Sequence, residues 1–365
     1  METFSPATGT LALDDVRAYK RDARARWFLL ALLVSTWAPL IFFISLTRLQ
    51  TMGIGVVGIR TVLLFLGTAH VPATIFFYTD NEFARIIGAH RVRFLYVPIL
   101  LAIGSGLLFA LSGPLITGFA LLGYWGWQAF HYGRQNLGVY AFVSIAEKKK
   151  TASKLEKLSI DLATICGIMG TFKILGTPVT PAGLHGLLDL LYRLGRFGFL
   201  LVVGLSILIY ARNFKDTSPL KSIFFFTLIF FFGPLYLSEN MNVAFLSYAI
   251  AHGIQYIVFM SVVSANSRPS GSRALPMGSV ITFLALLLVG GFIFYNAADL
   301  KTFEFIKGNA LLSGAADFVF GAILGLTMAH FVVDAGAWRL SKAAPRAYMA
   351  RRFGFLLSPR IGTEA

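Results

Sequence analysis

Apolar residues in this chain fall into long blocks and not into the two-residue alternation of strands. A helix needs roughly 20 mostly apolar residues to cross a bilayer. Blocks of this kind recur at 27–47, 54–78, 94–111, 115–145, 158–176, 194–211, 220–238, 241–264, 277–297 and 309–340. In lipid every backbone N–H and C=O must be paired within the segment, which makes such blocks helices. The pattern predicts an all-α, polytopic helical bundle with about ten transmembrane helices.

The residues between the blocks sort by charge. Arg17, Lys20, Arg21, Arg24 and Arg26 precede the first block, and Arg85, Arg91 and Arg93 follow the second. "EKKKTASKLEK" (Glu147 to Lys157), then Arg212, Lys215 and Lys221, then Arg268 and Arg273, and finally the tail from Arg339 to Arg360 continue the alternation. Basic loops stay in the cytoplasm, so N- and C-termini are both expected there. The expected organisation is a basic cytoplasmic segment 1–26, a transmembrane helical domain 27–340 and a basic cytoplasmic tail 341–365. The expected location is a multi-pass position in a bacterial inner membrane.

Composition agrees. Only 13% of residues are charged, against about a quarter in soluble domains. A net charge of +15 would suggest nucleic acid in a soluble protein. Here the loops account for it, so membrane lipids are the expected partners and nucleic acid is not. The single cysteine, Cys166, falls within a block, which leaves neither a disulfide framework nor a thiolate metal site. "GAILG" (Gly321 to Gly325) has the small-xxx-small spacing that allows close helix approach. "TPVTPAGLHGLLDLLYRLGR" (Thr177 to Arg196) has an amphipathic character suited to the outer interface.

Polar residues inside the blocks carry the chemistry. Of six histidines, four lie within predicted spans: His70 in "LGTAHVPATIFFYTD", His131 in "GWQAFHYGRQNLGVY", His252 in "YAIAHGIQYIVF" and His330 in "TMAHFVVDAG". They sit on four helices of one direction, each about 8 to 14 residues before its cytoplasmic end, hence at a similar depth. His131 is followed by Gln135, His252 by Gln255 and His330 by Asp334, at spacings that put each pair on one helix face. Tyr132 adjoins His131 and Tyr256 lies a turn beyond His252. Asp80 is the carboxylate nearest His70 in sequence. A single buried histidine is commonly an interhelical hydrogen-bonding group. Four at one level point to a shared metal or cofactor, because ionisable groups in membrane are costly and normally functional.

Imidazole ligation with one carboxylate suits iron, copper or zinc and not calcium or magnesium. Paired haems usually place two histidines on one helix, and diiron enzymes of membranes carry dense HxxxH-type boxes. This chain has neither, so a single non-haem iron (Fe2+) bound by His70, His131, His252 and His330 fits best, with haem, copper or zinc as rivals. Asp334 would orient an imidazole or ligate directly. Tyr132, Tyr256 and Gln255 would hold a polar end group, with Gln135 as a supporting contact. Arg134 would meet an anionic head or snorkel to lipid headgroups.

Four intramembrane histidines on separate spans of a Phe-rich helical protein, together with "LHGLLDLL" (Leu184 to Leu191), which is similar to an HGxxD-type motif, resemble the Brp/Blh-type β-carotene dioxygenases. That resemblance implies an integral-membrane non-haem iron oxygenase that cleaves a carotenoid. It also implies a hydrophobic small-molecule or lipid substrate entering from the bilayer past "WGWQAFHY" (Trp125 to Tyr132). With no soluble redox domain in the sequence, an external electron donor or the substrate itself would supply electrons. Two other classes remain open: a haem- or quinone-binding electron-transfer protein, and a transporter with an intramembrane polar pathway. Pro39, Pro72, Pro98 and Pro234 fall in spans without forming the matched pair that inverted-repeat transporters show.

Overall fold

The computed structural model describes residues 8–53, 55, 57–147, 152–213, 217–238, 240, 242–267, 277–297 and 310–357. The outermost parts of both charged ends, part of the 147–157 loop, and Arg268 and Arg273 lie outside these residues. Among the described residues there are only helices and turns. The order is α1 (Thr8–Thr51), α2 (Val57–Ala73), α3 (Phe76–Thr79), α4 (Asn81–Ala89), α5 (Val97–Leu111, entered through a π-turn at Val92–Tyr96), α6 (Pro114–Ala146) and α7 (Lys154–Gly176). There follow α8 (His185–Asn213), α9 (Pro219–Ile229), α10 (Pro234–Leu237), α11 (Ser247–Ala265), α12 (Met277–Ala285), α13 (Gly291–Ala297), α14 (Ala310–Ala337), α15 (Ala343–Arg352) and α16 (Gly354–Leu357).

Among the described residues eight helices are long and apolar enough to cross a membrane, and the chain is a multi-pass integral membrane protein. The other two predicted spans are helical but are not among the eight. α6 has the length, at 33 residues, but carries Arg134, Gln135 and Asn136 near its middle. The α9 segment, Pro219–Phe232, is shorter. The expected amphipathic stretch at 177–196 is not a separate surface element. After two short 3-10 turns its last part runs on as the start of α8.

Local chemistry sets the helix ends. Ser153 and Glu156 form a reciprocal capping box at the start of α7, which satisfies two of the orphan N–H groups found there. Pro114 and Pro219 open α6 and α9, where a missing N–H is harmless. In α2, Pro72 cannot donate a helical bond, and the helix ends one residue later; the chain turns and resumes as α3. Small residues then let helices approach. A Cβ at Gly321 or Gly325 would collide with the carbonyls of Ser105 and Leu101 on α5, so "GAILG" seats α14 directly on α5.

The C-terminal helices close one end of the bundle. Phe353 is fully buried and packs against Phe28, Phe142 and Phe259. Arg352, also buried, donates to Asp80 at 2.8 Å and Glu82 at 3.2 Å and bonds the Asn266 carbonyl. Asp80 additionally accepts from Ser267 and Tyr348 and caps α4. Its carboxylate therefore serves this latch and not His70, because the buried guanidinium is its stronger partner. Breaking a buried pair by removing one member costs about 3–5 kcal/mol, whereas an exposed pair contributes about 0–1 kcal/mol. Asp80→Ala should therefore lower the Tm in detergent well below that of Arg351→Ala, whose guanidinium pairs with Glu82 at the exposed edge; equal Tm values would refute the buried latch.

Candidate metal centre

The four intramembrane histidines come together. α2 and α11 cross where both carry glycine: a Cβ at Gly253 would stand 2.9 Å from His70 Nδ1 and 3.0 Å from the Gly67 Cα. That approach sets His70 against His252, with ring centroids 5.0 Å apart. α6 and α14 supply the other two. His70–His330, His131–His252 and His131–His330 centroids are 4.9, 4.9 and 5.2 Å apart. The separation between His252 and His330 is 6.3 Å. The four rings therefore form a closed cycle of neighbours, His70–His252–His131–His330, with His252 and His330 farther apart.

All four imidazoles are buried, and each leaves its Nε2 without a hydrogen-bond partner. Such groups are seldom left unpaired in an apolar interior. Two of the outer nitrogens are held, those of His70 and His330, whereas His252 Nδ1 also lacks a partner. His70 Nδ1–H donates to the Gly67 carbonyl at 2.5 Å, which leaves a lone pair on Nε2. His330 Nδ1 lies 2.6 Å from the Thr74 hydroxyl, which is also 2.9 Å from the Tyr256 hydroxyl. One ligand atom from each of His70, His252 and His330 falls within 4.8 Å of the other two, and the same holds for His131, His330 and Asp334. The two sets share His330.

Asp334 lies on the inward side of the rings. Its Oδ2 is 3.5 Å from His330 Nε2 and 3.9 Å from His131 Nε2, and its Oδ1 accepts from Tyr256 at 3.0 Å. Thr74, and not Asp334, therefore contacts the outer nitrogen of His330. The Tyr132 ring lies 4.1 Å from that of His252. Gln135 donates to the His252 carbonyl and to Gln255, and Gln255 donates to Thr36 on α1. These two amides tie α6, α11 and α1 together. Arg134 is directed away to a half-exposed pair with Asp161 at 3.2 Å. His185 and Asp189 of the HGxxD-like segment engage the Thr180 carbonyl and Lys173.

Sequence reasoning missed three participants. Thr74 follows Pro72 by two residues, and the helix break that this proline causes is what turns its hydroxyl inward. Gly253 directly follows His252 and sets the crossing. Phe331 stacks on His131 at 4.2 Å with rings inclined by 20°.

A cavity of about 440 Å³ reaches His330 from between α2, α5, α13 and α14, lined among others by Pro72, Ile99, Phe294 and Leu326. Ile75, Ile99 and Ile103, which also line the cavity, are exposed on the outer surface of the bundle, so the cavity connects the centre with the surroundings of the helices. No protein-family model, curated protein or solved structure matches the chain.

Outer contacts of metal-bound imidazoles typically contribute 10–100-fold in metal affinity. Thr74→Val should weaken metal binding by about that factor, read by chelator competition, without changing the fold. Unchanged affinity would remove Thr74 from the centre.

Proposed function

We propose that this chain is an integral-membrane oxygenase whose cofactor is a single non-haem iron(II) held by His70, His131, His252 and His330. Its substrate in this reading is a lipid-soluble molecule of isoprenoid or carotenoid character drawn from the bilayer. One observation carries the proposal: four helices bring four buried imidazoles into one cluster, neighbouring rings about 5 Å apart, each with an unpartnered Nε2. The donor set fits the group, since imidazole nitrogens with a nearby carboxylate suit iron. Copper and zinc share part of that preference. Bound there, iron would supply the activation of dioxygen.

The chain's own residues have definable tasks around it. Gly67 and Thr74 fix the outer nitrogens of His70 and His330. Asp334 accepts the proton of the Tyr256 hydroxyl bond while facing His330 and His131, so it either completes the ligand set or holds a proton beside it. Tyr132 and Phe331 wall the rings of His252 and His131. The apolar lining keeps water from the site, which protects reactive intermediates. Electrons come from an external donor or from the substrate.

The haem reading is less well supported. A porphyrin between two axial imidazoles needs a slot free of other groups, and here each ring has two others about 5 Å away. In this proposal the chain crosses a bacterial inner membrane ten times with both ends in the cytoplasm, which the loop charges support.

Purified protein should contain about one iron per chain and show no Soret band. Absence of metal after careful preparation, or a Soret band, would overturn the proposal. His252→Ala should abolish metal retention, and full retention would exclude that residue as a ligand.

A further inference from the structure

Asp334 is buried, and among the described residues no lysine or arginine pairs with it. An isolated carboxylate in an apolar interior is costly, and buried charges are normally paired or bound to a metal. The two oxygens of Asp334 have different neighbours. Oδ1 accepts from the Tyr256 hydroxyl at 3.0 Å. Oδ2 stands 3.5 Å from His330 Nε2 and 3.9 Å from His131 Nε2, two nitrogens that lack hydrogen-bond partners.

These two separations decide between a proton and an ion. A hydrogen bond between oxygen and nitrogen spans about 2.7–3.2 Å, whichever atom donates, and both distances exceed that. Two atoms that each ligate one ion at about 2.1 Å, as the nitrogen and oxygen ligands of zinc do, stand at most about 4.2 Å apart. Both distances fall below that limit. Oδ2 and the two imidazoles are therefore spaced to share a cation, with no hydrogen between them.

The other oxygen ties the carboxylate back to one of the same imidazoles. The Tyr256 hydroxyl lies 2.9 Å from that of Thr74, which lies 2.6 Å from His330 Nδ1. A circuit thus runs from His330 through Thr74 and Tyr256 to Asp334, and returns to His330 across the 3.5 Å gap. All four side chains are buried. With Nε2 of His330 on a metal, the hydrogen of the neutral ring sits on Nδ1, and every donor points the same way. Nδ1–H donates to Thr74, Thr74 donates to Tyr256, and Tyr256 donates its single hydrogen to Asp334. No oxygen along the circuit receives two hydrogens, and the carboxylate ends it with Oδ2 free.

We infer that Asp334 ligates the metal through Oδ2, beside His131 and His330, and that Thr74 and Tyr256 are positioning residues that hold it there. This ligand role rests on the metal-centre reading; it requires neither iron nor oxygenase chemistry. The chain then offers the ion five ligand atoms, and the carboxylate offsets one of its two positive charges.

The experiment loads the full-length protein in detergent with Co(II), whose visible absorption reports its ligand set, and reads affinity by chelator competition. Asp334→Asn keeps the shape of the side chain. Its amide oxygen would accept from Tyr256, which turns the NH2 group, unable to ligate, toward the metal. Affinity should therefore fall by more than the 10–100-fold that outer contacts of a metal site contribute, and the spectrum at Co(II) saturation should change. Tyr256→Phe should fall within that range and keep the spectrum of the unmutated protein. An Asp334→Asn variant with an unchanged saturated spectrum would overturn the inference, whatever its affinity. An infrared difference spectrum of Co(II) binding to the unmutated protein answers the same question without relying on a variant that must fold. Carboxylate stretching bands should shift when the metal binds, and a spectrum without such a shift would exclude Asp334 as a ligand. Unmutated protein that binds no Co(II) removes the metal centre and this ligand together; binding that survives intact in Asp334→Asn removes the ligand alone.

Discussion

The fold depends on one constraint: four imidazoles are buried side by side in one cluster with each Nε2 left without a protein partner. An unsatisfied polar atom in an apolar interior costs about 1–3 kcal/mol, and here four converge. The surrounding chain compensates by close packing. Gly67 and Gly253 bring α2 and α11 nearly into backbone contact. Gly133, two residues past His131, has no room for a Cβ because Thr164 of α7 occupies that space. The glycines near the centre are thus conditions for the histidines to meet.

Outward from the rings, polarity is organised in two ways. On the α2 side the helix itself ends just past Pro72, and the Gly67 carbonyl before the break and the Thr74 hydroxyl after it hold His70 and His330. On the α6 side the helix stays continuous, and amides do the fastening from Gln135 through Gln255 to Thr36. Below both lies the aromatic floor of Phe259, Trp338 and Phe353, pinned by the pairing of Arg352 with Asp80. Asp80 ends the short segment that begins at the Pro72 break, so the tail latch and the Thr74 contact share one stretch of chain.

The hydropathy blocks made the helices legible, and counting residues to the basic loops was enough to place four histidines at one depth. Contacts distant in sequence were not legible. Asp80 is bonded to Arg352, 272 positions away, and nothing near "FFYTD" announces a buried guanidinium. Gln135 and Gln255 had the right spacing for a site role, yet their bonds join helices, because helical spacing fixes a face without fixing its neighbour. α6 illustrates a different limit. The polar residues that make it central to the site also lower its hydropathy, so the helix most involved in the chemistry reads least like a membrane span. Thr74 was hidden for a third reason: its role arises only once Pro72 has ended the helix.

α14 unites what would otherwise be separate features. Over four turns it seats on α5 through Gly321 and Gly325, walls the cavity with Leu326 and Ala329, presents His330 and Asp334 to the centre, and gives the Val332 carbonyl to Arg93. His330 alone belongs to both sets of ligand atoms and to the cavity lining. A molecule in the cavity therefore presses on the same imidazole that joins the two halves of the centre. Because α14 is locked to α5 by backbone-close contacts at one end and to Arg93 near the other, it has little freedom to yield. The break at Pro72 lies on the opposite wall, where Pro72 and Thr74 line the same cavity and Thr74 bonds His330, so cavity and centre share that hydroxyl as well as the imidazole.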